Sequence, residues 1–267
     1  MSVRIVIPSK SRVAECRRAL QLLPDALVVV SEDQRELYKP LGVEVLAHPA
    51  TISGIGPLKN WIMDNVPDET LFIIDDDVKW VRVPVGRETK SEIIRDPASV
   101  RQIIENAAII AKGMGAPVFG FDQSGGDTRK FNPAHPFRLS GWVGAQMGIV
   151  GRAIRYDPNL RIRADIDFCL TALLQARIIF QDTRFSFIHE PRFTYRGGNS
   201  ALRSGDRNQQ ELVYLKNKWG KVISLKETAT TLRIVTHVKR RAMQKGDGKG
   251  GGGKGKGKHR SESEELS

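Results

Sequence analysis

The stretch Leu71-Phe72-Ile73-Ile74-Asp75-Asp76-Asp77 decides the fold reading, because four apolar residues run straight into three carboxylates. A run this short, apolar at every position, reads as a strand buried on both faces, which calls for helices above and below it. The carboxylates then emerge at the C-terminal edge of that strand, where open α/β sheets hold ligands. On extended backbone Asp75 and Asp77 share one face and Asp76 points away. Two oxygen donors on one face suit Mg²⁺ or Mn²⁺ bridging a diphosphate. The competing reading is a solvated acidic turn. Three adjacent like charges repel, however, and are easier to retain when a cation neutralises them.

The same grammar repeats on the N-terminal side. Apolar runs over residues 3–7, 26–30 and 43–46 alternate with helical patterns over 13–23, 34–41 and 57–66. Alternation of this kind predicts an α/β fold with a mainly parallel, Rossmann-like central sheet flanked by helices. Downstream, residues 87–95 read as a polar stretch and 98–112 as an amphipathic helix. Strands are expected over 117–121 and 146–150, and the Gly- and Pro-rich stretch 123–142 between them reads as a loop bordering the site. A helix over 165–176, strands over 177–180 and 185–188, and a late helix over 206–219 complete the pattern. From Lys239 onward apolar residues give way to Lys/Gly repeats and an acidic end. The expected division is therefore one domain over residues 1–236 and a disordered basic tail over 237–267.

Bulk composition narrows the partners. A chain of 267 residues with formal charge +12 invites an anionic partner: nucleic acid, a phosphate-bearing substrate or an anionic surface. The tail, rich in cations and glycine, suits a phosphate backbone bound by counterion release, so DNA is the expected partner; a solubilising tail is the alternative. Cys16 and Cys169 are too few for a disulfide framework and read as buried small hydrophobes in a reducing compartment. The first apolar run is too short for a secretory signal, and no stretch approaches the roughly 18 apolar residues of a membrane span. A cytoplasmic location is expected, the host cytoplasm if a phage encodes the chain.

Several segments add candidate chemistry. The first strand leaves through Ile7-Pro8-Ser9-Lys10-Ser11-Arg12, and Gly54-Ile55-Gly56-Pro57-Leu58-Lys59-Asn60 leads into a helix whose free N–H groups and Lys favour an anionic diphosphate. Ala164-Asp165-Ile166-Asp167-Phe168 opens another helix; its carboxylates serve either as helix-end charges or as a general base. His189 closes an apolar strand, and Trp142 lies in a Gly-bearing segment where it can stack on a sugar or a base.

Together, the exit after Ile7 and the Asp75-Asp76-Asp77 strand end resemble the GT-A glycosyltransferase fold over about the first 200 residues. The resemblance implies a metal-dependent glycosyltransferase with a nucleotide-sugar donor, most simply a UDP-sugar, and Mn²⁺ or Mg²⁺ as cofactor. It implies nucleotide contacts from Pro8, Ser9, Arg12, Lys59, Asn60 and Asp75. It places the metal on Asp75, Asp77 and His189, and the base of an inverting reaction at Asp165, with Asp167 beside it. Ala164 departs from the Glu that the family's pattern carries there. More loosely, the chain resembles the phage glycosyltransferases associated with TET/JBP hydroxylases. These modify 5-hydroxymethylpyrimidines such as 5-hydroxymethylcytosine in DNA. A glycan, lipid or protein acceptor, a nucleotidyltransferase and a non-catalytic nucleic-acid binder are the alternatives.

Overall fold

The computed structural model describes residues 2–84, 91–189, 205–227 and 232–236. In chain order the elements are β1 (Arg4–Pro8), α1 (Val13–Leu22), β2 (Leu27–Ser31), α2 (Arg35–Tyr38), β3 (Val45–His48), α3 (Ile55–Asn65) and β4 (Thr70–Ile74). Next come β5 (Val78–Pro84), β6 (Ser91–Ile94), α4 (Pro97–Gly113), β7 (Val118–Phe121), β8 (Phe137–Arg138), β9 (Gln146–Val150) and α5 (Ala164–Ala176). The chain continues through β10 (Phe180–Asp182), β11 (Ser186–His189), α6 (Gly205–Trp219), β12 (Ile223–Glu227) and β13 (Leu232–Thr236).

Eight strands form the central sheet in the order β3-β2-β1-β4-β9-β7-β10-β8. β3, β2, β1 and β4 pair in parallel, as do β7 and β10, while β9 runs antiparallel between β4 and β7. Strand period two explains the continuous apolar runs. Ile5, Ile7, Val28, Val30, Phe72 and Ile74 enter the core shared with α1 and α4, while Val6, Leu27, Val29, Leu71 and Ile73 enter the opposite core with α3 and α5. Each strand is therefore apolar throughout because both of its faces are covered.

A second sheet, β11-β5-β6, rides on the first. Phe187 of β11 packs against Phe72 and Phe121 with ring centroids 5.7 and 4.8 Å away, which fixes the strand that ends in His189. Sequence reading treats residues 87–95 as a polar stretch, which the structure corrects at β6, and it passes over β5, whereas β11 matches the strand expected over 185–188. The residues of β5 alternate weakly, with only Val78, Val81 and Pro84 buried. The expected helix over 34–41 shrinks to 3₁₀ turns around the four residues of α2. Cys16 and Cys169 are both free and buried, and burial pushes each thiol up to about 12, as befits small hydrophobes. Among the described residues no helix is long and apolar enough to cross a membrane. The Lys/Gly tail and the glycine-bearing stretch Arg196-Gly197-Gly198-Asn199-Ser200 lie outside the described residues.

Candidate active site

Five chain segments meet at one edge of the sheet: the exits of β1 and β4, the approach to β9, the start of α5 and the end of β11. After Ile74 the backbone does not stay extended but turns at Asp76 and Asp77. Simple alternation therefore fails beyond Asp75. Asp76, expected to point away, is instead the buried member, at 4% exposure.

Asp76 receives the Ser9 hydroxyl at 2.6 Å and the Arg12 guanidinium at 2.8 Å. Because Ser9 gives its proton to Asp76, Tyr38 must donate to Ser9 across 2.8 Å, and Tyr38 in turn accepts the Arg12 N–H at 3.0 Å. Burial pushes the Asp76 carboxyl up to about 7, against the pull of Ser9 and Arg12. Arg12 also reaches Asp77 at 3.1 Å, while the other Asp77 oxygen lies 2.9 Å from His189 Nδ1. Burial alone would push Asp77 up; His189 and Arg12 outweigh it and hold the carboxyl below the usual range. Much of the charge of the three adjacent aspartates is thus met by Arg12, a cation the chain itself supplies.

The residues expected to hold a metal come together only in part. Among the described residues no cluster of three or more His, Cys, Asp or Glu forms a metal cage. His189 Nε2, however, is buried without a hydrogen-bond partner, and its Nδ1 faces Asp77. A carboxylate on one imidazole nitrogen fixes the tautomer and leaves the other nitrogen's lone pair for a cation. His189 Nε2 fits as one donor to a divalent ion, with Asp77 ordering the imidazole from its other nitrogen.

Asp75 is tied to the opposite wall, its N–H donating to the Ala145 carbonyl at 3.1 Å. The adjacent Gly144 leaves room where a side chain would collide. A Cβ there would lie 2.8 Å from the Trp142 ring and 3.4 Å from both Asp165 Oδ2 and Gln123 Oε1. Trp142 is 39% exposed, so its ring borders the opening in front of Asp165. The Asp165 carboxyl is raised by burial, partly countered by the charge of Lys59.

Several other expected contacts are engaged within the protein. Pro8 is half-buried at the end of β1, and the Ser9 hydroxyl is spent inside the protein. Lys59 is buried, its Nζ 5.5 Å from the Tyr156 ring centroid. The Asn60 side chain holds the Tyr156 backbone with two hydrogen bonds of 2.9 Å, which fixes Tyr156 in a stack on Phe168 of α5. Gly54, at φ 96°, and Gly56 let α3 press against the chain before α5; a Cβ on either would lie 2.6 Å from Arg161 or the Leu160 carbonyl. Asp167 Oδ1 accepts from Trp219 Nε1 and Lys218 Nζ, each at 2.8 Å, while its buried Oδ2 has no hydrogen-bond partner. Sequence reading missed Tyr38 and Glu211: one is a buried aromatic, the other one of two acids on an amphipathic helix, and neither carries a local signal.

Among solved structures the chain is similar to Mycobacterium tuberculosis glucosyl-3-phosphoglycerate synthase in complex with Mn²⁺, UDP-glucose and phosphoglyceric acid. The identity is 12%, the TM-score 0.50, and the match covers 88% of this chain and 86% of that one. It is also similar to S. aureus TarS 1–349 with UDP-GlcNAc, at 15% identity and TM-score 0.49, covering 81% of this chain and 66% of that one. In another structure of TarS 1–349 the chain spans 59% of that protein's length at TM-score 0.44. Identities this low speak to fold alone, which for the synthase is the GT-A architecture that the strand order and crossovers display. No curated protein sequence matches the chain. The family described as TET-Associated Glycosyltransferase matches residues 3–198, well over half of the chain, a span that takes in Arg12, Asp75, Asp76, Asp77, Asp165 and His189. The chain therefore belongs to the TET-associated glycosyltransferase family.

Proposed function

We propose that the chain is a glycosyltransferase that moves a sugar from a nucleotide-sugar, in our reading a UDP-sugar, to a hydroxyl acceptor, and that this acceptor is a 5-hydroxymethylpyrimidine base of phage DNA. One observation carries the reading. Gly144 and Ala145 bring a carboxylate with raised proton affinity, Asp165, to the same opening as the Asp75–Asp77 turn. A base and an anchor for a diphosphate are then adjacent, as sugar transfer requires.

In the reaction Asp165 accepts the proton of the acceptor hydroxyl while that oxygen bonds to the anomeric carbon. The bond from that carbon to the diphosphate oxygen breaks, and its electron pair leaves with the nucleoside diphosphate. One displacement inverts the anomeric centre. His189 and Asp75 would hold a divalent ion, which would supply positive charge for the departing diphosphate. Asp77 holds the His189 imidazole, and Arg12 holds Asp77. A base within a duplex must leave the stack to reach Asp165, and the half-exposed Trp142 ring offers it a stacking surface.

The first test is product identity. A panel of nucleotide-sugars with hydroxymethylated DNA and Mn²⁺ should release nucleoside diphosphate, whereas release of pyrophosphate would indicate a nucleotidyltransferase. The tail supports the DNA half of the proposal. Truncation after Thr236 should weaken DNA binding and flatten the log–log salt dependence by ~0.9 for each DNA phosphate that the tail neutralises, while donor hydrolysis persists. Equal affinity before and after the cut at low salt would make the tail a bystander.

A further inference from the structure

Helix α6, Gly205–Trp219, lies beyond the residues matched by the family, 3–198, yet it grips the segment that presents Asp165. The α5 N-terminus has no side-chain cap of its own; Arg163 occupies the cap position without making the bond. Glu211 of α6 supplies what is missing. Its buried carboxylate accepts the backbone N–H groups of Arg161 at 2.9 Å and of Ile162 and Arg163 at 3.0 Å each. Three consecutive N–H groups converging on one anion form a charge-assisted nest, stronger and more directional than neutral bonds. Asn208 adds a hydrogen bond from Arg163 Nε at 2.9 Å. Further along the helix, Lys218 bridges Asp157 at 2.6 Å and Asp167 at 2.8 Å, flanking the same segment on both sides.

We infer that α6 is a working part of the active site and that Glu211 is a positioning residue, setting the start of α5 and through it the Asp165 carboxylate. The inference rests on the reading of Asp165 as the base. Glu211 touches no reacting atom. Its replacement by Gln keeps the size but turns an amide N–H₂ toward backbone donors and removes the charge that gathers them.

The test uses the full chain in four forms: wild type, Glu211→Gln, Asp165→Asn and the double variant. By hydrogen exchange, Glu211→Gln should accelerate the amides of residues 161–166 while those of α4 keep their protection. Its transfer kcat should fall about 10-fold or more with donor KM within about threefold, since misplacing a reacting group costs rate and leaves donor binding largely intact. The decisive comparison is the double variant. If Glu211 acts through Asp165, the double variant is about as slow as Asp165→Asn alone, because a base already removed has no position to lose. Independent structural damage multiplies the two losses instead. Unchanged exchange at 161–166, wild-type transfer in Glu211→Gln or multiplied losses each overturn the inference. Transfer at the wild-type rate in Asp165→Asn refutes the underlying reading of the base, and that control shows it without Glu211→Gln.

Discussion

Asp165→Asn is expected to lower transfer by about 10²-fold or more while nucleoside diphosphate binding persists, the scale on which removal of a positioned general base acts. The same substitution should raise thermal stability at pH above the unfolded carboxylate value. Burial raises the Asp165 carboxyl in the folded chain relative to the unfolded one. Such a group costs stability once pH exceeds its unfolded value, because the unfolded state then ionises more readily. The cost is absent well below that value and grows as pH rises toward the folded one. A stability difference between variant and wild type that is near zero in acid and favours the variant at pH 7–8 is the expected signature. In kinetics, the acid limb of kcat should lie above the ordinary carboxylate range. A limb at the ordinary value, with unchanged transfer in Asp165→Asn, would remove Asp165 from the base role.

Asp77→Asn is expected to cost as much through a different route. Asp77 orders the His189 imidazole on one oxygen and takes the Arg12 guanidinium on the other. An amide accepts on one atom only, so either His189 loses its fixed tautomer or Arg12 loses its second carboxylate. Disturbing a carboxylate behind a ligating imidazole typically costs about 10–100-fold in metal affinity or activity. The expected outcome is an Mn²⁺ requirement curve shifted to higher concentration, together with turnover lower by about 10–100-fold. Full wild-type turnover in chelator would contradict the metal part of the account.

The fold was readable because its signal is local. Leu71 to Ile74 is apolar at every position since both faces are covered, and the alternation of strands and helices up to β4 follows from the same period rules. β5 and β6 escaped because they cover one face of the molecule and alternate weakly around Lys79, Trp80 and Arg82. Within the site, sequence reading named the positions that the fold brings to one edge but not their partners. Asp77 beside His189 joins residues 112 positions apart, and Ser9 to Asp76 spans 67. Asp75 and Asp77 were paired by assuming extended backbone, whereas a turn at Asp76 sets the actual geometry. Asn60 shows the complementary case: a polar residue at the expected position whose side chain is taken up in holding Tyr156, while one oxygen of Asp167 is taken up in holding α6. Such commitments depend on tertiary neighbours and leave no mark on local spacing.

Sugar transfer to a hydroxymethylated base is read out by mass spectrometry of the acceptor. Two oligonucleotides of one sequence, with and without 5-hydroxymethylpyrimidine, are incubated with the full chain, Mn²⁺ and a panel of UDP-sugars. The expected result is a mass gain of one glycosyl residue on the hydroxymethylated strand alone, abolished in Asp165→Asn. Nucleoside diphosphate release with no gain on either strand, while a glycan or protein acceptor is glycosylated under the same conditions, would contradict it.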